Sequence, residues 1–212
     1  MGGGAVESAL RRGADAGVRL IETLLWDGAG FPRLPLHLAR LERGAEALGY
    51  PCNAGAVTGA LATAVGTEAL RVRLTLGADG AVEVTAAPLP AAKAEWRVGL
   101  ASERLRSNDP WLTVKSTCRA AYDAARAALS EGLDEVVLLN ERGEVCDGSI
   151  TTVFFDRGQG MRTPPLSCGV LPGVLREEMA VPEEVLMATD LPRVRLWVGN
   201  ALRGLIPARW TP

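Results

Sequence analysis

The chain has 212 residues, 48% of them hydrophobic, enough for a sizeable core in one compact unit of two lobes or two small domains. Its formal net charge is −2 with the two signs mixed, which excludes a basic nucleic-acid surface and an acidic tail. No apolar run approaches the roughly 20 residues that a membrane helix needs, and the cytoplasm is the default location.

Residues 1–16 are glycine-rich and then charged, lack the apolar middle of a signal peptide, and read as a frayed start. Residues 18–26 (VRLIETLLW) read as a strand pair or a bent strand, with Glu22 and Thr23 set among apolar neighbours. Leu38, Leu41, Ala45 and Leu48 recur at helical spacing over 34–48, and Gly49 ends that helix. A second, alanine-rich helix is expected over 54–65, then strands over 70–76, 81–86 and 95–100, the first two joined by a hairpin turn at 77–80. The first hundred residues thus read as an antiparallel sheet with two helices. Ser107-Asn108-Asp109-Pro110 is a polar break between an α/β lobe over 1–106 and a second lobe over 111–212. The second lobe opens on Leu112-Thr113-Val114-Lys115. There follow a helix over 118–129, a strand over 135–139, and a strand over 145–155 broken at Asp147-Gly148. A loop over 161–172, a helix over 174–180 and a late strand over 195–198 complete the chain.

Chemistry narrows through two residue types. Cys52, Cys118, Cys146 and Cys168 form no CxxC pair, and the lone His37 cannot complete a Cys/His zinc cluster, so no metal site is expected. The cysteines read as buried small apolar side chains. The chain holds 21 arginines but only two lysines, Lys93 and Lys115. A GC-rich genome accounts for most of that bias. A Schiff base still needs a lysine, because guanidinium keeps its proton in a protein.

Lys115 stands among apolar residues ahead of Ser116-Thr117, a helix-capping pair, so burial and a lowered amine pKa are expected. An exposed loop lysine is the ordinary alternative. Asp147 is a turn aspartate or a carboxylate facing a pyridine nitrogen. Gly169 to Arg176 is a glycine-bearing loop running into a helix, where backbone amides could meet a phosphate. Arg40, three residues after His37, is a cation for the same phosphate or a solvated helix arginine.

Taken together, the ordered pieces resemble the class IV aminotransferases (fold type IV) from about Leu20 to Ala208. The matches are Glu22-Thr23, His37-x-x-Arg40-Leu41, Lys115-Ser116-Thr117-x-Arg119, Glu135 through Asn140 with Gly143, and Asp147-Gly148-Ser149 leading to Val153-Phe154. Thr163-Pro164-Pro165-Leu166, Gly169-x-Leu171-x-Gly173-Val174-x-Arg176 and Asn200-Ala201-Leu202-Arg203-Gly204 complete them. The resemblance implies a pyridoxal 5'-phosphate enzyme with Lys115 as its Schiff-base residue and Asp147 at the pyridine nitrogen. Arg40 and the backbone of Gly173, Val174 and Leu175 would take the phosphate. Asn200 and Ala201 would lie in the cofactor-binding loop that touches phosphate and the substrate carboxylate. It also implies an antiparallel-sheet α/β lobe, a larger α/β pseudo-barrel lobe, and a homodimer.

Departures point within the family. Aspartate stands at 147 for the usual glutamate, Thr152 for an asparagine, and one or two leading strands would be missing. Ala120 replaces the tyrosine of branched-chain aminotransferases, which favours an aminodeoxychorismate lyase-like enzyme releasing pyruvate and 4-aminobenzoate. An amino-acid aminotransferase of branched-chain or D-amino-acid type, and a non-catalytic binding descendant, remain as alternatives.

Overall fold

β-branched and leucine-rich runs pair first into a small sheet. β1 (Leu20–Trp26) lies antiparallel to β2 (Leu70–Leu76), with Leu20 opposite Leu76, and β2 lies antiparallel to β3 (Val82–Pro88). β1 is a single continuous strand, neither bent nor paired with itself. The structure, a computed structural model, describes residues 3–15, 17–64 and 66–212. The helix α2 (Leu34–Leu48) buries His37, Arg40, Leu41, Ala45 and Leu48 on one face. Gly49 ends it in the left-handed conformation (φ 75°), which costs glycine little. The alanine-rich helix α3 is shorter than its composition suggests (Ala54–Leu61), and Val65 lies outside the described residues.

The start of the chain differs from a frayed end. Gly3–Gly13 form α1, which buries Leu10. Arg11 donates from Nη2 to the Glu46 carbonyl (2.9 Å) and from Nε to that of Ala47 (3.1 Å), capping the C-terminal turn of α2. Met1, Gly2 and Ala16 fall outside the described residues.

The remaining strands close a six-stranded barrel: β4 (Trp96–Leu105), β5 (Glu135–Asn140), β6 (Val145–Gly148), β7 (Thr152–Asp156), β8 (Arg195–Asn200) and β9 (Gly204–Trp210). Neighbours from β5 to β9 are antiparallel, while β4 runs parallel to both β5 and β9 and closes the ring. β5 is buried on both faces, Val137 and Leu139 joining one core cluster, Val136 and Leu138 another. The helix α4 (Ala120–Ala127) covers the second cluster through Ala121, Tyr122 and Ala125. A short helix, α5 (Val174–Met179), follows the glycine loop.

The chain divides into two compact units. One runs to Ala91 and includes Val114–Cys118; the other holds Ala92–Thr113 and Arg119–Pro212. The composition break at Ser107–Pro110 is therefore not where the units part. β4 belongs to the barrel because its partners, β5 and β9, come later in the chain. Propensity marks a strand but not the strand beside it.

Candidate functional site

In the first unit the decisive residue is Glu22, a carboxylate buried on β1 between apolar neighbours. Arg40 donates to it twice, Nε to Oε1 at 2.8 Å and Nη2 to Oε2 at 2.5 Å. His37 Nδ1 lies 2.6 Å from Oε2, so against a carboxylate that nitrogen carries the proton. Burial pushes the Glu22 carboxyl up, but the Arg40 charge and hydrogen bonds, joined by His37, overcome it and hold the pKa below the ordinary value. Arg40 is thus neither solvated nor merely helical. It is a buried cation (8% exposed) aimed by a partner that sequence reading had noted only as half of a motif.

Lys115 hangs from the same strand. Its carbonyl accepts the N–H of Ile21 (2.9 Å), Ser116 bridges to Leu20, and Thr117 donates to the Arg19 carbonyl (2.9 Å). The lysine is half-buried. Ser116 and Thr117 do not cap α4, whose N-cap is Arg119 with no side-chain bond. Instead Ser116 Oγ accepts from Cys118 N (3.2 Å) and Thr117 Oγ1 from Arg19 N (3.0 Å), which fixes the backbone on either side of the lysine.

The second unit brings together the other expected residues. Asp147, buried at the end of β6, accepts the Leu171 N–H at 2.8 Å, tying that strand to the loop before α5. In the same loop a Cβ on Gly173 would lie 2.9 Å from Thr152 Oγ1. Val174 and Leu175 are buried at the start of α5, and a Cβ on Gly199 would come within 2.6 Å of a Leu175 methyl. Asn200 is committed to structure: its Nδ2 donates to the Ile150 carbonyl (3.1 Å) and its Oδ1 accepts from Leu202 and Arg203.

Other matched motif residues support turns. Asn140 bonds Glu144 and the Cys168 carbonyl, and Thr163 donates to the Val153 carbonyl while accepting from the buried Arg176. Cys146 and Cys168 are buried, and Cys146 Sγ donates to the Cys168 carbonyl at 3.1 Å. Burial pushes both thiols up, Cys168 to about 12, so they stay protonated and are poor nucleophiles. Cys52 and Cys118 are only partly buried, contrary to the expectation for all four.

Tyr122 was not anticipated. Its hydroxyl is buried and has no hydrogen-bond partner among the described residues. Burial, with the Asp147 charge next, pushes its phenol well above the usual range. Tyr122→Phe is expected to leave the stability of cofactor-free protein unchanged or raise it by up to about 1 kcal/mol, because no bond is lost. A clear fall in thermal melting would show that the hydroxyl has a partner.

These positions can be set against known proteins. A family model described as amino-transferase class IV matches residues 19–210. The chain belongs to this family. As a class IV aminotransferase it joins an enzyme family, and its sheet and closed barrel are the fold type IV architecture. A Schizosaccharomyces pombe protein with the provisional name aminodeoxychorismate lyase is 34% identical over 168 residues, covering 76% of this chain and 72% of its own. A crystal structure from Mesorhizobium loti, provisionally named an amino-acid aminotransferase, superposes with a TM-score of 0.88 at 41% identity, covering 92% of this chain and all of its own. A Thermotoga maritima protein named for branched-chain-amino-acid aminotransferase activity is 30% identical over 106 residues, 45% of this chain and 38% of its own. Among the described residues no helix is long and apolar enough to cross a membrane.

Proposed function

We propose that this class IV aminotransferase binds pyridoxal 5'-phosphate and acts as an aminodeoxychorismate lyase-like enzyme, eliminating pyruvate to leave 4-aminobenzoate. The observation that carries the cofactor reading is the shared anchoring of Lys115 and Arg40. Lys115 is pinned by its backbone beside Ile21, and Arg40 by its guanidinium to Glu22, the next residue of β1. The donor set fits the group: a buried, pre-aimed cation for a phosphate, an amine for an aldehyde, and a buried carboxylate, Asp147, for a pyridinium nitrogen.

When bound, pyridoxal phosphate supplies an aldehyde for condensation with amines and a ring that draws electrons from the substrate carbon. Lys115 would hold it through Nζ and, once displaced by the substrate amine, move protons at that carbon as general base and then acid. Glu22 keeps Arg40 oriented, so the rest of that guanidinium can meet phosphate without an ordering cost. Asp147 would hold the proton on the ring nitrogen, with Leu171 N–H fixing one of its oxygens. The backbone of Gly173, Val174, Leu175, Asn200 and Ala201 would complete the phosphate contacts, and the enzyme would act as a homodimer.

A second reading, an amino-acid aminotransferase, is favoured by the likeness to the Mesorhizobium loti protein at 41% identity. The two separate in one assay. A lyase turns over with release of pyruvate from aminodeoxychorismate and no keto-acid acceptor, while an aminotransferase stops after one equivalent of amino acid per site unless an acceptor is added. Pyruvate release is the expected result; amino-group transfer across a panel of L- and D-amino acids without it would select the second reading.

A further inference from the structure

Glu135 is fully buried on β5, yet it is not a stray carboxylate, because a tight turn is wrapped around it. Its Oε1 accepts the backbone N–H of Val136 and of Ser149, each at 3.0 Å, and the Ser149 hydroxyl as well. Its Oε2 accepts the Ile150 N–H at 3.2 Å and the Thr151 hydroxyl at 2.8 Å. Arg126 Nη1 stands 3.8 Å from Oε1 as the nearby cation. A Cβ on Gly148 would fall 2.9 Å from the Glu135 carboxyl and 2.2 Å from Thr151 Oγ1, so only glycine allows the turn to close this tightly.

Residues 149–151 join β6 to β7, and with Gly148 they follow directly on Asp147. Their carbonyls are held too: Ser149 O by Arg119 Nη2 at 2.9 Å, and Ile150 O by Asn200 Nδ2 at 3.1 Å. Gly148 N–H closes the turn on Thr151 O at 2.8 Å. Asp147 itself pairs with Thr152, so both ends of the turn are fixed. The buried carboxylate of Glu135 gathers the turn's donors from within, where water could not replace them.

We propose that Glu135 is the positioning residue for Asp147: by binding the 149–151 donors it sets where the Asp147 carboxylate stands. This rests on the reading of Asp147 as the partner of the pyridine nitrogen. The arrangement compensates for aspartate being one methylene shorter than glutamate, since a shorter reach tolerates less movement of the strand end. Glu135→Gln keeps the volume but turns one acceptor into an amide N–H₂ facing the turn's own donors. Thr151 can rotate its hydroxyl to accept, but the Ile150 N–H cannot.

The test loads wild type, Glu135→Gln, Ser149→Ala/Thr151→Val and Asp147→Asn with pyridoxal phosphate. It follows the visible absorbance band against pH and titrates cofactor affinity, with cofactor-free melting beside them. Asp147→Asn is expected to move the pH midpoint of the band. Glu135→Gln and the double variant should move it the same way by less and weaken cofactor binding about tenfold. If Glu135→Gln does not fold, the double variant gives the same reading from the other side of the contact. A lowered melting temperature with a wild-type band and affinity, while Asp147→Asn moves the band, overturns the role of Glu135 alone. An unmoved band in Asp147→Asn overturns the Asp147 reading and this inference with it.

Discussion

Replacing Lys115 with alanine is expected to lower turnover by about a thousand-fold or more while the backbone of the segment stays in place. The backbone bonds that hold this segment, from the Lys115 carbonyl to Ile21 and from Thr117 to Arg19, do not involve the lysine side chain. Lys115→Arg should fail as fully as alanine, because guanidinium keeps the charge but has no lone pair to give. Lys93 is the control. Its ammonium meets Asp134 on the surface, and Lys93→Ala should retain activity and cofactor. The check is turnover, together with borohydride reduction and mass mapping of the labelled lysine. A Lys115→Arg variant that kept turnover would reduce the lysine to a point charge and remove the covalent reading.

Glu22→Ala is expected to cost about 3 to 5 kcal/mol of stability, since it strands the Arg40 charge with its hydrogen bonds unmet. For a chain of this length that is roughly a 10 °C fall in melting temperature. Pairing it with Arg40→Met should restore much of the loss, because an apolar pair replaces a buried ionic one. The same site gives a pH signature. The folded-state pKa of Glu22 lies below the free value of 4.5. Its stabilisation is therefore complete above that pH and is lost as the pH falls from 4.5 through the folded value. Urea unfolding of wild type and Glu22→Gln should converge in that acid range and separate above it. Equal stability of the two at neutral pH would show that the triad of Glu22, His37 and Arg40 contributes nothing net.

Both predictions concern residues that the sequence exposed to different degrees. Lys115 was legible because lysine is scarce here and its neighbours form a recognisable series. Glu22 was visible as a charged residue inside an apolar strand, but a strand pattern does not say what meets an inward carboxylate. Its partners come from α2, brought beside β1 by the burial of one helical face. Arg40, read alone, was indistinguishable from a solvated helix arginine, and only the fold shows it buried. For Asn200 the fold adds a second duty: its side-chain amide bonds the Ile150 carbonyl and its own turn, which a motif read along the chain does not show.

Strand β9 shows the same limit. Its glycine, proline and arginine interruptions gave no strand signal, yet it closes the barrel against β4 and β8. Edge pairing supplied what propensity did not. Tyr122 was invisible for a related reason: a tyrosine on an alanine-rich helix has no periodic signature that separates a buried hydroxyl from an exposed one.

The sequence by itself determined four of the five α-helices among the described residues, most strands, and the family. Local periodicity, capping residues and ordered motifs all act over short spans of chain. Tertiary structure alone decided which carboxylate aims Arg40, which unit receives β4 and Lys115, and which buried acid gathers the turn after Asp147. Those outcomes depend on contacts between residues far apart in sequence, where burial removes water and makes the choice of partner decisive.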